Sequence, residues 1–318
     1  MPDPSLPLSY HHCRSIARSV ARNFYYGFLL LPAQKRDNLC ALYAFMRDAD
    51  DIADFPGELP QKRAALAALR SSLAQALAGE SAPATGDPLV WPALRHTVET
   101  CSIPPQYLND LISGTEMDLI ISRYDTFAQL RDYCYHVAGA VGLSCIYVFG
   151  FSDPRATVLA EKMGIAFQLT NILRDVPKDY QMGRIYLPAE DLDLFGCRPE
   201  DLASHPESPG PHWRELIRFE VARAWEFYEE ASPLLTLVSR GSQPALWALA
   251  RIYSGILREI EAREFDVFTP PPARLSSAEK VWLLARARLG LRGLHHGIRN
   301  DSDTGRRSGR SILGRRAL

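Results

Sequence analysis

Two stretches of this chain place aspartates at a spacing that can do chemistry. The first is Arg47-Asp48-Ala49-Asp50-Asp51-Ile52-Ala53-Asp54; the second runs from Gln168 to Asp179, with Asn171, Asp175 and Asp179 at successive four-residue steps. On a helix, residues four apart share a face, about 6 Å along the axis. Asp50 with Asp54, and Asn171 with Asp175 and Asp179, therefore form two polar ridges. Like charges so placed repel, and a cation between them removes the penalty. Oxygen donors that leave coordination positions open suit Mg²⁺, with Mn²⁺ an alternative, shared with phosphate oxygens. Neither ridge holds His or Cys, which argues against zinc, and no Glu-x-x-His pair supports a di-iron bundle. A solvated acidic helix face explains one such pair. Two of them, each backed by apolar residues and flanked by arginine, point to a metal and a diphosphate. Arg47, Arg174, Lys178 and Arg184 lie beside the ridges, and guanidinium forks and the Tyr43 hydroxyl suit phosphate oxygens that a metal leaves free.

Helices must position these residues. Apolar side chains recur at three and four in Cys40–Phe45, Ala64–Leu77, Tyr107–Ile121, Leu130–Phe149, Val158–Val176, Trp213–Leu237 and Pro244–Ile260. No alternating β-branched run competes with them. The breaks at Ala78–Pro88, Leu202–Pro211 and Thr269–Leu275 read as loops rather than domain linkers. Ser276-Ser277-Ala278-Glu279 is a capping-box candidate, and Pro177 predicts a kink or helix end that puts Asp179 on a bent or terminal turn. The expected fold is all-α: one domain over residues 1–290, roughly ten helices around a central cavity. A basic, disordered tail is expected over 291–318.

Composition agrees with that reading. A chain of 318 residues, 47% hydrophobic and 23% charged, can bury a large core. Its net charge of −1 gives no reason to expect nucleic acid. The balance hides an acidic body and a tail, Arg286–Leu318, with nine arginines against Asp301 and Asp303. Arg306, Arg307, Arg310, Arg315 and Arg316 would suit peripheral contact with anionic lipid, although a solvated end explains them equally. Six scattered cysteines without a CxxC pair, and an N-terminus without a signal pattern, lead to the expectation of a cytoplasmic protein, with any membrane contact at the inner face. The apolar stretches Tyr25–Leu31 and Ala138–Phe149 fall short of the ~20 residues of a membrane span.

Four ordered motifs carry a family resemblance: Asn23-Phe-Tyr-Tyr-Gly-Phe28, Ala41 through Asp54, Tyr133-Cys-Tyr-His-Val-Ala-Gly-Ala-Val-Gly142, and Gln168 through Asp179 with Gly183-Arg-Ile-Tyr-Leu-Pro188. With these the chain resembles the squalene and phytoene synthases, from about Ser9 to Leu284. The resemblance implies an isoprenoid-synthase fold and a head-to-head condensation of two allylic diphosphates. It implies Asp50, Asp54, Asp175 and Asp179 as catalytic metal ligands and Tyr133 as the tyrosine near the reacting carbons. Arg22, Asn23, Tyr43, Arg47, Gln168, Asn171, Arg174 and Arg184 would line the diphosphate end, and Tyr253 and Lys280 are later pocket positions. Ala21 and Asn23 stand where many relatives have serines, so the hydroxyl contacts to diphosphate are either replaced by an amide or lost there. Ionisation leaves an anion for metal and arginine and a carbocation that a dry pocket must protect. Phe24, Tyr133 and Phe167 are candidates to face the cation, though core packing explains Phe167 as well. Ala138, Gly139, Ala140 and Gly142 would let a helix approach an isoprenoid chain, or simply another helix.

Tyr147-Val-Phe-Gly-Phe151 could cap a short pocket, which favours farnesyl diphosphate and presqualene diphosphate, possible onward reduction to squalene included. Geranylgeranyl diphosphate and phytoene are the alternative. No GxGxxG loop is present to support NADPH use, although the family does not bind nicotinamide that way. A catalytically silent assembly factor should have lost some of the four aspartates, and a terpene cyclase or head-to-tail elongase should lack the Tyr133–Gly142 and Gly183–Pro188 strings.

Overall fold

Helix boundaries in the computed structural model, which describes residues 5–20, 22–80, 83–204, 210–290 and 298, follow local chemistry. Fifteen α-helices succeed one another among these residues: α1 Leu6–Val20, α2 Arg22–Phe28, α3 Ala33–Asp54, α4 Leu59–Ala78, α5 Trp91–Cys101, α6 Pro105–Ile120, α7 Phe127–Cys134, α8 Ala140–Phe149, α9 Arg155–Gln181, α10 Ala189–Leu194, α11 Pro199–Ser204, α12 Pro211–Ala231, α13 Leu234–Leu237, α14 Gln243–Ala262 and α15 Ser277–Arg288. Proline stands in the first turn of α4, α5, α6, α12 and α14, where its missing N–H has no helical partner to lose. Ser276 caps α15 by accepting from the Glu279 backbone N–H, the reciprocal box its sequence suggests.

The all-α expectation holds; the helix count does not. The long run Leu130–Phe149 is α7 and α8 joined by a π-helical turn, Tyr135–Gly139. The run Trp213–Leu237 divides after Ala231, with Pro233 capping α13. Short helices α10, α11 and α13 lack the length for a periodic signal. Pro177 does not end its helix, which continues to Gln181, so Asp179 lies on the terminal turn. No strand forms among the described residues; the isolated bridges are Arg123 with Ile185 and Phe151 with Val238. All six cysteines are free thiols. No described helix is long and apolar enough to cross a membrane. The basic tail falls, Ile298 apart, outside the described residues.

α9 packs against α8, α12 and α14. Trp213, Trp225 and Tyr228 of α12 and Trp247 of α14 are fully buried in these layers, each contributing on the order of 2–3 kcal/mol. At the opposite end Lys35 donates to the Phe149 carbonyl at 2.6 Å, to Ser239 Oγ at 2.7 Å and to Ser242 Oγ at 3.1 Å. These bonds tie the first turn of α3 to the end of α8 and the start of α14.

Candidate active site

Between α3, α6, α8, α9 and α14 lies a cavity of about 340 Å³. Its walls follow helical spacing: Leu39, Tyr43, Met46 and Asp50 along α3, Leu111, Thr115 and Asp118 along α6, and Met163, Phe167, Gln168 and Asn171 along α9. Asp50, Asp118, Gln168 and Asn171 supply polar groups to the lining. Phe28, Phe149, Leu234, Leu246 and Leu249 line the apolar remainder. Phe24, Tyr133 and Phe167 all line it, so Phe167 does more than fill the core; it also stacks on Tyr253, rings 4.5 Å apart. Gly142 lines the cavity, and an added Cβ would sit 2.6 Å from the Ala160 carbonyl oxygen, so the close helix approach is made against α9.

Both aspartate ridges occupy the C-terminal turns of their helices, α3 ending at Asp54 and α9 at Gln181. Helix C-termini carry partial negative charge, so these carboxylates add to an already negative end and demand cations. Arg47 answers in part, pairing with Asp51 and lying 4.0 Å from Asp50 and 3.6 Å from Asp54. On α9, Arg174 grips Asp175 with both prongs, Nε to Oδ1 at 2.9 Å. Asp50 has 59% of its side chain exposed, yet it stands in a concave mouth. Burial by the surrounding walls, opposed by Arg47 and reinforced by Asp54, Asp118 and Asp51, pushes its carboxyl up to about 6. Asp179 is pushed to about 7 by burial and then by Asp175, against Lys178, Arg184 and Arg174. Among the described residues no three His, Cys, Asp or Glu side chains converge to hold a metal by themselves. Carboxylates set four residues apart, with oxygen donors only, fit Mg²⁺, which keeps waters and takes further oxygens from phosphate.

The site is less concentric than its sequence suggests. Asp50, Tyr43, Tyr133, Gln168 and Asn171 line the cavity, whereas Asp54, Arg47, Arg174, Asp175, Asp179 and Arg184 do not. Asp179 and Arg184 face a small neighbouring pocket with Trp213. Tyr253 is buried behind Phe24 and Phe167, with its hydroxyl pushed up by burial against the pull of Arg174. Lys280 is half-buried, and its ammonium is pushed down by burial, then by Arg274 and Arg174. Arg22 and Asn23 begin α2, and their side chains lie outside the described residues. Of the string read as a pocket cap, only Phe149 lines the cavity. Tyr147 instead packs tilted against Tyr107 and edge-on to Phe151, which leaves Phe149 alone of that string to shorten the pocket.

Asp118, and Tyr186 within the Gly183–Pro188 motif, received no role from the sequence. Gly183, in the left-handed conformation, turns the chain out of α9, and the following segment runs beside 122–125, Ile185 N–H donating to Ser122 and Ala189 N–H to Tyr124. This sets Tyr186 on Tyr133, rings 5.2 Å apart, with its hydroxyl donating to Asp118 Oδ1 at 3.0 Å. Asp118 left one signal: it continues the otherwise uncharged face of Leu111 and Thr115 on α6.

A helical bundle with two aspartate-bearing ridges that reach a largely apolar cavity through Asp50 and Asn171 defines an isoprenoid synthase of the prenyltransferase type. The squalene/phytoene synthase family model matches residues 17–279, and the chain belongs to that family, whose reaction is a head-to-head prenyl diphosphate condensation. It is 35% identical over 302 residues to 15-cis-phytoene synthase of Synechocystis sp., covering 90% of this chain and 88% of that one. Phytoene synthase of Arthrospira platensis is 36% identical over 90% of this chain and 94% of its own. Among solved structures, a dehydrosqualene synthase with bound ligand aligns at TM-score 0.80 and 32% identity, over 92% of this chain and 99% of its own. Squalene synthase HpnC from Alicyclobacillus acidocaldarius aligns at 0.75 and 31%, over 82% and 96%.

Proposed function

We propose that this enzyme condenses two molecules of geranylgeranyl diphosphate head to head to phytoene, with Mg²⁺ shared between substrate diphosphate and Asp50, Asp54, Asp175 and Asp179. The observation that carries the longer substrate is the cavity wall formed by α7, the π-helical turn and α8. It is lined from Tyr133 to Phe149, a path of about 24 Å at the helical rise. Four isoprene units, extended at ~1.25 Å of advance per bond over about sixteen bonds, need roughly 20 Å. The phytoene synthases among the relatives support the same reading. Farnesyl diphosphate is the second reading, favoured by the likeness to the dehydrosqualene and squalene synthases.

Bound at the ridges, Mg²⁺ supplies the positive charge that a departing diphosphate requires. Arg47, Arg174 and Arg184 add guanidinium donors to its oxygens. Asn171 and Gln168 orient it from the cavity side. The apolar walls exclude water from the carbocation, and the faces of Phe24, Phe167 and Tyr133 stabilise it, at ~0.5–2 kcal/mol for each ring in contact.

Purified protein with Mg²⁺ and each diphosphate in turn, with and without NADPH, tests the proposal by product mass. Phytoene formed without NADPH is the expected result. Turnover of farnesyl diphosphate alone transfers the assignment to the second reading.

A further inference from the structure

Tyr133 is 3% exposed, and its hydroxyl donates to Tyr186 Oη at 3.3 Å. Tyr186 in turn donates to Asp118 Oδ1 at 3.0 Å. Asp118 is held by Arg184, which donates to its carbonyl oxygen at 3.1 Å and faces Oδ1 at 4.0 Å. The Tyr186 ring stacks on both Tyr133 and Tyr124, and Tyr124 lies tilted against Tyr133, so neither hydroxyl is free to swing away. Both hydroxyl protons therefore point toward the carboxylate, and the lone pairs of Tyr133 Oη are left for whatever occupies the cavity that Tyr133 and Asp118 both line.

We propose that Asp118 and Tyr186 orient Tyr133 as a proton acceptor, and that Asp118 is the final holder of the proton lost when the condensing chains quench their carbocation. A C–H bond near the cationic carbon breaks, and its electron pair closes onto that carbon. The proton passes to Tyr133 Oη as that oxygen gives its own to Tyr186, and Tyr186 gives its own to Asp118. The hydrocarbon becomes neutral, the carboxylate becomes a carboxylic acid, both tyrosines end as phenols, and no oxidant or reductant is needed. Burial raises both the Asp118 carboxyl and the Tyr133 phenol. A phenolate is thus disfavoured, and concerted transfer along the chain avoids forming one. The inference deepens the reading of the same site, but not its chain-length part, since farnesyl and geranylgeranyl diphosphates share the reacting carbons.

The test compares Asp118→Asn, Tyr186→Phe and their double variant on whichever prenyl diphosphate the wild type turns over. Asn keeps the shape and an acceptor oxygen at position 118 but cannot hold the proton, and Phe breaks the chain while preserving the stack. Each single variant should lose kcat by about 10²-fold, with KM and Mg²⁺ half-saturation unchanged. A primary deuterium isotope effect on kcat, with substrate deuterated at C1, should appear in both and be absent from wild type. The double variant should be no slower than the slower single, because both lie on one path. Unchanged kcat in both singles would mean that released diphosphate or water takes the proton, and overturns the proposal. So does a loss without the isotope effect, which marks a structural role, or a rise in Mg²⁺ half-saturation for Asp118→Asn, which marks a metal ligand. If Asp118→Asn does not fold, Tyr186→Phe alone decides by kcat and isotope effect. Wild type active only with farnesyl diphosphate removes the chain-length reading and leaves this comparison intact.

Discussion

Arg174 holds the carboxylate of its own neighbour, Asp175, through a two-pronged ion pair whose Nε–Oδ1 arm measures 2.9 Å. Arg47 holds Asp51 on the other helix. Each ridge thus carries a built-in counter-ion that a metal and a diphosphate would share between them: the carboxylates to the metal, the guanidiniums to phosphate oxygens. Asp175→Asn keeps the shape and removes the charge. It should lower kcat by about 10²-fold or more and raise the Mg²⁺ half-saturation. Steady-state rates over a Mg²⁺ titration measure both.

Asp50 and Asp179 hold their protons up to about 6 and about 7, against 3.8 for a free aspartate. The folded chain binds these protons more tightly than the unfolded one. Their contribution to stability is therefore complete below about pH 4 and is lost as pH rises through 6 to 7. The melting temperature of metal-free protein should fall between pH 5 and 8 for this reason. Added Mg²⁺ should raise it more at pH 8 than at pH 5, and calorimetry near pH 6 should register proton release on Mg²⁺ binding.

Gly142 lies against the Ala160 carbonyl on one side and the cavity on the other. Gly142→Ala must separate α8 from α9, at a cost of about 1–3 kcal/mol. Thermal unfolding should show the loss, and KM for the prenyl diphosphate should rise as the wall shifts.

Arg223 bridges Asp191 at 2.7 Å and Glu220 at 2.8 Å, with both acids almost fully buried. It anchors α10 on α12, immediately after the segment that carries Arg184 and Tyr186. Arg223→Met leaves two buried acids without their cation, which should cost about 3–5 kcal/mol in urea unfolding. Part of that loss should return as pH falls through about 8, because burial raises Glu220 to about 8 and a protonated carboxyl needs no counter-ion.

Much of this was legible in the chain. The period of apolar residues marked the long helices α3, α6, α9, α12 and α14, because a helix that buries one face must repeat it. Their subdivisions were not legible: a π-helical turn keeps the apolar period of its neighbours, and helices of four to six residues are too short to show one. The Asp50–Asp54 and Asn171–Asp179 ridges could be read because their partners lie four residues away on the same helix. Asp118 and Tyr186 could not, because 68 residues separate them and nothing in either neighbourhood names the other.

The sequence by itself determined the residue types and the facial spacing that call for a cation and a diphosphate. Which carboxylate enters the cavity, which arginine turns back on its neighbour, and that Tyr147 packs against Tyr107 instead of lining the cavity were decided only by tertiary packing. Periodicity fixes a side chain's face on its own helix; the rotation and approach of neighbouring helices decide what that face meets.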